Sequence, residues 1–231
     1  MSQPDSSNRR AGAGRIARPM VAVDTVLFAV ADGRLRTYLV ELQHGQARGK
    51  WAFPGGLVKV GELLDRAARR QLHESTGLSG TYLEQLFTFG DPSRDPRAHV
   101  VSVAYMALIR DPNLLHSGNG KSGPGRWHEV AKMPPLAYDH ADMAVYALKR
   151  LKSKLEYSNI AYALLPKEFT FAELEELYAT VLGRPIDRRN FRRRIMAMGL
   201  LRRLSHARRG AHRPASLYSF ASQSLRFIEM L

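Results

Sequence analysis

The chain has 231 residues, 45% of them apolar, a formal net charge of +14 and no cysteine. That length and apolar content allow one large domain or two modest ones, and the missing cysteine excludes disulfides and cysteine-based zinc sites. No run approaches the ~18 apolar residues of a membrane span, and the N-terminal arginines precede no apolar stretch, so the expectation is a cytoplasmic protein with no membrane partner.

Residues 1–18, MSQPDSSNRRAGAGRIAR, are polar and aperiodic and read as a disordered basic tail. VAVDTVLFAV (21–30) is a buried strand. DGR (32–34) is a turn signal, and LRTYLVEL (35–42) alternates as the partner strand of a hairpin. A loop, HGQARGK, leads into WAFPGGLVKVGE. From Glu62 to Thr76 the spacing becomes helical, with Leu64, Ala68 and Leu72 on one line, and Gly77 suits a left-handed C-cap. Two strands follow at 81–90 and 99–109, joined by the loop DPSRDPR (91–97). A second loop, 117–125, precedes a short strand, RWHEV, and a basic amphipathic helix spans 140–156.

After YSNIAYALLP the character changes, which puts domain limits at 1–18, 19–156 and 157–231. FTFAELEELYATVLG (169–183) opens with Thr170 as N-cap and Glu173 three residues on, a capping box. RPI is a turn, Asp187 caps a second helix, and Gly199 ends it. LLRRLSHARRGAHRPASLYSF then reads as two strands around a tip. Helix, tight turn, helix and β-hairpin is the order of a winged helix-turn-helix.

Residues 184–213 contain eleven arginines against one acid, Asp187, so this stretch carries +10 and the remainder of the chain +4. A field that concentrated attracts a polyanion. On the second helix Phe191, Ile195 and Met198 share a core-facing side, while Arg188, Arg189, Arg192 and Arg193 project away from it. Asn190 has two readings, adenine contact or cap support. Arg208, Arg209, His212 and Arg213 cluster at the hairpin tip. These are the candidate DNA-binding residues. No aromatic is interleaved with the arginines, as a single-strand RNA reader would require, so duplex DNA is the expected partner.

GGLVKVGELLDRAARRQLHESTGL resembles the Nudix box, G-x5-E-x7-R-E-U-x-E-E-x-G-U with U apolar. Gly56, Glu62, Arg70, Leu72, Glu74, Gly77 and Leu78 match; Gln71 and Ser75 replace glutamates. In Nudix hydrolases the box glutamates hold a divalent metal that neutralises a diphosphate and activates water. With one core carboxylate of three left, the expectations are no metal site, no catalytic residue and no required cofactor. FGDPSRDPR (89–97), VSVAYMAL (101–108), LAYDHADM (136–143) and DRRNFRRRI (187–195) are similar to segments of the Nudix-related transcriptional regulators of the NrtR family. That resemblance implies an α+β protein: a Nudix-like α/β/α sandwich followed by a winged helix-turn-helix. It also implies a homodimeric repressor on a palindromic operator at genes of NAD biosynthesis or salvage. Its effector would be ADP-ribose or a related nucleotide diphosphate. Glu62, Arg70, Glu74, Arg94 and Arg97 are the candidate ligand-binding residues. Arg97 has a second reading as the partner of a neighbouring aspartate, and His140 one as a structural histidine. A hinge is expected at EYSN (156–159). The competing reading is an active Nudix pyrophosphohydrolase with a basic accessory domain.

Overall fold

The computed structural model describes residues 18–115, 124–208 and 214–227. The expected tail up to residue 17, most of the loop at 117–125, and Arg209, His212 and Arg213 lie outside the described residues.

The expected hairpin joins β1 (Met20–Ala31) to β2 (Arg34–Glu41). Asp32 and Gly33 turn between them with φ of 52° and 65°. Two positive φ values in succession make the type I′ turn whose twist fits a two-residue hairpin. The approach to the box contains two short strands, β3 (Trp51–Ala52) and β4 (Gly55–Leu57). Then come α1 (Leu64–Thr76), β5 (Tyr82–Phe89), β6 (Val100–Leu108), β7 (Gly125–Glu129) and α2 (His140–Tyr157). Gly77 ends α1 at φ 73°, with its N–H donating to the His73 carbonyl, as its sequence position suggested.

The strands form one mixed sheet in the order β3-β2-β1-β6-β5, with β4 on β1 and β7 on β2. Its central pair, β1 and β6, is parallel, in register from Met20↔Val100 to Phe28↔Leu108. Side chains alternate across this pair. Val23, Val103 and Tyr105 pack with Ala67 and Ala68 of α1, and Leu27 and Ala107 with Leu72. Val26, Phe28, Ala104, Met106 and Leu108 face α2 through Met143, Ala147 and Leu151. A helix on each face explains why 21–30 reads as nearly continuous apolar sequence.

The C-terminal elements are β8 (Phe169–Thr170), α3 (Phe171–Leu182), α4 (Arg188–Ala197), β9 (Leu201–Arg208) and β10 (Ala215–Phe220). The capping box is present: Thr170 Oγ1 accepts from Glu173 N–H at 3.2 Å, and Glu173 Oε2 accepts from Thr170 N–H at 2.6 Å. Such a cap stabilises a helix start by about 1 kcal/mol. Asp187 accepts from Asn190 N–H and starts α4 in the same way. The second sheet runs β8-β10-β9, so the hairpin is tied back to the segment before α3.

The second half of the segment expected to hinge is packed, while Glu156 is exposed and Tyr157 half-buried. Ser158, Asn159 and Ile160 are at most 1% exposed. One apolar cluster runs from Val26 and Phe28 through Ile160, Leu164 and Leu165 to Phe169, Phe171, Leu174 and Ile195. Asn159 also clamps the chain that returns from β10. Its side chain donates to the Ser224 carbonyl at 3.0 Å and accepts from Arg226 N–H at 2.6 Å. Sequence periodicity is local, so it could not show that Asn159 is tied to a strap 65 residues later.

A continuous cluster should unfold as one unit. Urea denaturation followed by near-ultraviolet and far-ultraviolet circular dichroism should give a single coincident transition. Ile160→Ala should lower stability by about 2–5 kcal/mol, the usual cost of truncating a fully buried aliphatic side chain. Two separated transitions would contradict the shared core.

Candidate nucleic-acid interface and effector pocket

The α3–α4 pair presents its cations on a packed back. Ile195 is buried, and the Phe191 ring lies edge-on to Tyr178 and Phe171, with centroids 4.7 and 6.0 Å away. Each such aromatic pair adds roughly 0.5–1.5 kcal/mol beyond area burial, which fixes the orientation of α4. Arg188, Arg189, Asn190, Arg192 and Arg193 are all exposed.

Their side chains are not equivalent. Arg188 sits 3.7 Å from Glu175 yet stays 84% exposed. The Asn190 backbone N–H donates to the Asp187 cap, and its side-chain oxygen accepts from Arg193 at 2.8 Å. Arg192 lies over the Phe171 ring at 4.5 Å and donates to the Tyr218 hydroxyl at 3.0 Å. It therefore braces α4 against α3 and β10 instead of projecting straight out. Arg189 is exposed and takes part in none of these pairs. At the tip end of β9, Arg208 bonds Glu173 at 2.6 Å, and the His206 ring meets Glu168 at 2.9 Å. Arg208 thus ties the wing to the capping box of α3. Arg202 and Arg203, near the start of β9, are exposed, and Arg203 bonds Ser216. They were not singled out from sequence. Their place in a half-exposed strand next to the arginine helix is the signal that marks them.

The second site lies at the end of the larger sheet. Gln46, Ala47, Lys50, Arg94, Pro96, Arg97 and Tyr138 line a cavity of about 200 Å³. A neighbouring cleft of about 490 Å³ shares Arg94 and Tyr138 and continues along Phe89, Asp91 and Ser93. Arg97 is 56% exposed, pairs with Asp95 at 2.7 Å and lies over the Tyr138 ring at 5.8 Å. Pairing with Asp95 raises the Arg97 pKa above its already high ordinary value, so the charge is permanent. Tyr138 adopts φ 54°, a left-handed conformation unusual for an aromatic residue.

Arg94 is a wall of the cavity and also its anchor. Only 4% exposed, its guanidinium grips Asp139 at 2.6 and 2.8 Å and lies 3.8 Å from Asp24. Asp24 is buried in β1 and also accepts from the Ser102 hydroxyl. Burial alone would raise the Asp24 pKa, but His140, Ser102 and Arg94 together hold it below the ordinary carboxylate range. His140 accepts the Phe53 N–H at Nδ1, which leaves the proton on Nε2, 3.6 Å from Asp24. The structural reading of His140 therefore holds. Sequence reasoning missed Asp24, Lys50, Tyr138 and Asp139; a lone acid inside the apolar strand VAVDTVLFAV was the available signal.

The box residues stand apart from this cavity. Glu62 takes two hydrogen bonds from Arg70, both at 2.7 Å, and these hold its carboxyl at a pKa of about 2. Glu74 is 3.5 Å from the same guanidinium. Glu62, Arg70 and Glu74 line none of the cavity walls that Arg94 and Arg97 share. The five candidate ligand residues are thus split into a box group and a loop group.

Residues 161–220 match the family model of the NrtR DNA-binding winged helix domain, and residues 19–148 match that of the NUDIX domain. The chain is 34% identical over 217 residues to the ADPR responsive transcriptional repressor NtrR of Acinetobacter baylyi, covering 90% of this chain and 85% of that protein. Its structure is similar to Shewanella oneidensis NrtR complexed with a 27mer DNA, with a TM-score of 0.78 and 34% identity over 87% of this chain and 93% of that one. The NUDIX domain of the same Shewanella protein, solved with ADP ribose, aligns at a TM-score of 0.54 and 33% identity over 58% of this chain and 89% of that one. An ADP-ribose pyrophosphatase of Methanocaldococcus jannaschii is 30% identical over 122 residues, 53% of this chain and 69% of that protein. With both halves matched in order and a repressor one-third identical along most of its length, the chain belongs to the NrtR family.

Proposed function

We propose that this chain is a cytoplasmic, ADP-ribose-responsive transcriptional repressor. It binds duplex DNA through α4 and the wing and reads its effector in the Nudix part without hydrolysing it. The observation that carries this reading is the pairing of an exposed arginine helix with a Nudix box whose carboxylates are tied to Arg70. A sensor that destroyed its signal would report it poorly. Target genes of NAD biosynthesis or salvage follow from the effector's chemistry, since ADP-ribose is a product of NAD breakdown. The division at 19–156 and 157–231 assigns sensing to the first part and DNA binding to the second.

A palindromic operator calls for a two-fold homodimer, because one winged helix reads only a few base pairs. Arg188, Arg189, Arg193 and Asn190 form the reading face, with Arg202 and the wing on backbone phosphate. Arg192 and Arg208 position that face through Phe171, Tyr218 and Glu173. In the pocket, Arg97 and Lys50 offer cations to a diphosphate and Tyr138 a ring to a base or ribose.

Communication runs through Arg94. Its ion pair with Asp139 grips the residue before α2, and the other end of α2 meets the Asn159 clamp on the strap from the wing. An 18-residue helix spans about 27 Å. A ligand that moves the 91–97 loop thereby shifts the population of dimers whose recognition helices match the half-site spacing.

Gel-shift titration with a palindromic duplex should show specific binding that weakens with salt, by about 0.9 log units per log of salt for each arginine on phosphate. Arg189→Ala should cost about 1–3 kcal/mol, a larger loss on the operator than on random duplex if it reads a base. ADP-ribose should lower operator affinity by about 5- to 150-fold, a coupling of 1–3 kcal/mol. Arg97→Gln should weaken that response while leaving operator binding without effector intact, because Arg97 is 56% exposed. Hydrolysis of ADP-ribose to AMP and ribose 5-phosphate, with magnesium or manganese added, should be absent. Turnover that Glu74→Gln removes would establish the hydrolase reading, which the pyrophosphatase similarity favours.

A further inference from the structure

The Nudix fold implies a divalent metal at the box, and the residues present do not fit one. Both oxygens of Glu62 are taken, Oε1 by Arg70 Nε at 2.7 Å and Oε2 by Arg70 Nη2 at 2.7 Å and Lys59 N–H at 3.0 Å. Glu74 faces the third nitrogen of the same guanidinium at 3.5 Å. Two carboxylates and one arginine leave this group with a net charge of only −1. Ser75 is buried and brings no charge. Among the described residues, no three His, Cys, Asp or Glu side chains converge on one point. Magnesium requires near-octahedral oxygen ligation and gives up its water reluctantly.

Gln71 does more than lack a charge. Its amide has one orientation that satisfies both neighbours: the nitrogen donates to the Gly55 carbonyl at 3.1 Å, and the oxygen accepts from Arg70 Nη1 at 2.9 Å. Gly56 makes room for this approach, because a Cβ there would lie 2.5 Å from the nearest atom of the amide. A glutamate in the same place has no proton to donate. Two oxygens would then face each other across that gap, and a cation between them would become favourable. Glutamine supplies the hydrogen where glutamate would recruit the metal.

We propose that Gln71 is the specificity-determining residue that keeps the Nudix box free of metal. Its amide occupies the Gly55 carbonyl that a cation would need and commits the Arg70 guanidinium to the box. With no divalent ion at the box, the positive charge available to the effector's diphosphate is that of Arg97 and Lys50 in the separate cavity. The last point rests on ADP-ribose being the effector, as proposed above; the exclusion of metal does not.

The test uses the full chain and manganese alone. Electron paramagnetic resonance reads free manganese as protein is added. The unmodified protein should leave submillimolar manganese free, and Gln71→Glu should bind it at least roughly tenfold tighter, a gain of about 1.4 kcal/mol. Adding Glu74→Gln to that variant should remove the gain and so locate the ion at the box. Manganese bound equally well by the unmodified protein, or no gain in Gln71→Glu, overturns the proposal. If that variant does not fold, Gln71→Asp replaces it, its shorter carboxylate leaving more room at Gly56. Calorimetry of ADP-ribose into the unmodified protein should give affinities within about twofold in EDTA and in manganese, a difference below about 0.4 kcal/mol. A requirement for manganese overturns the proposal. Absence of ADP-ribose binding under both conditions would instead overturn the effector assignment, with the manganese titrations still deciding the role of Gln71.

Discussion

The buried charge cluster around Asp24 is the constraint on which the sensing part depends. A carboxylate inside a parallel strand pair is costly unless it is surrounded by donors and positive charge. Asp24 meets that demand with groups from three places: Ser102 on β6, Arg94 on the 91–97 loop and His140 at the start of α2. Removing one partner leaves the others with an uncompensated charge, so these elements are held together as a set. The wall of the cavity beside Arg97 and Tyr138 and the N-terminus of α2 belong to that set. A ligand meeting the loop therefore acts on a helix, not on an isolated surface.

The same economy appears at the DNA-binding end. A stretch with ten surplus positive charges repels itself, and several of its arginines are disposed of by packing. Arg192 rests on Phe171, Arg208 closes on Glu173, and Arg203 meets Ser216. What remains outward is a narrower front on α4. In the proposed reading, all of these cations contribute to the field that attracts DNA, and the few that point into solvent set register on the duplex.

Most of the architecture was legible because its signals are local. The turn at Asp32–Gly33, the cap at Gly77, the Thr170–Glu173 box and the Asp187 cap each rest on residues a few positions apart. The strands at 21–30 and 99–109 were legible as apolar runs, but their parallel pairing was not. The Asn159 strap, the short strands β3 and β4, and the separation of Glu62 from Arg97 were not legible, since each depends on segments far apart in the chain.

The sequence by itself determined the two-part α+β organisation, the cationic helix and the loss of two glutamates from the box, because composition and spacing are enough to specify these. Only the tertiary structure decided what the substitutions do. Whether Gln71 is an empty position or a donor locked to Gly55 depends on where β4 meets α1. Whether Arg94 faces a ligand or anchors α2 depends on the depth of Asp24 and Asp139. Hydrogen bonds and ion pairs are set by distances of a few tenths of an ångström between segments that are remote in sequence, and those distances exist only once the sheet and helices have packed.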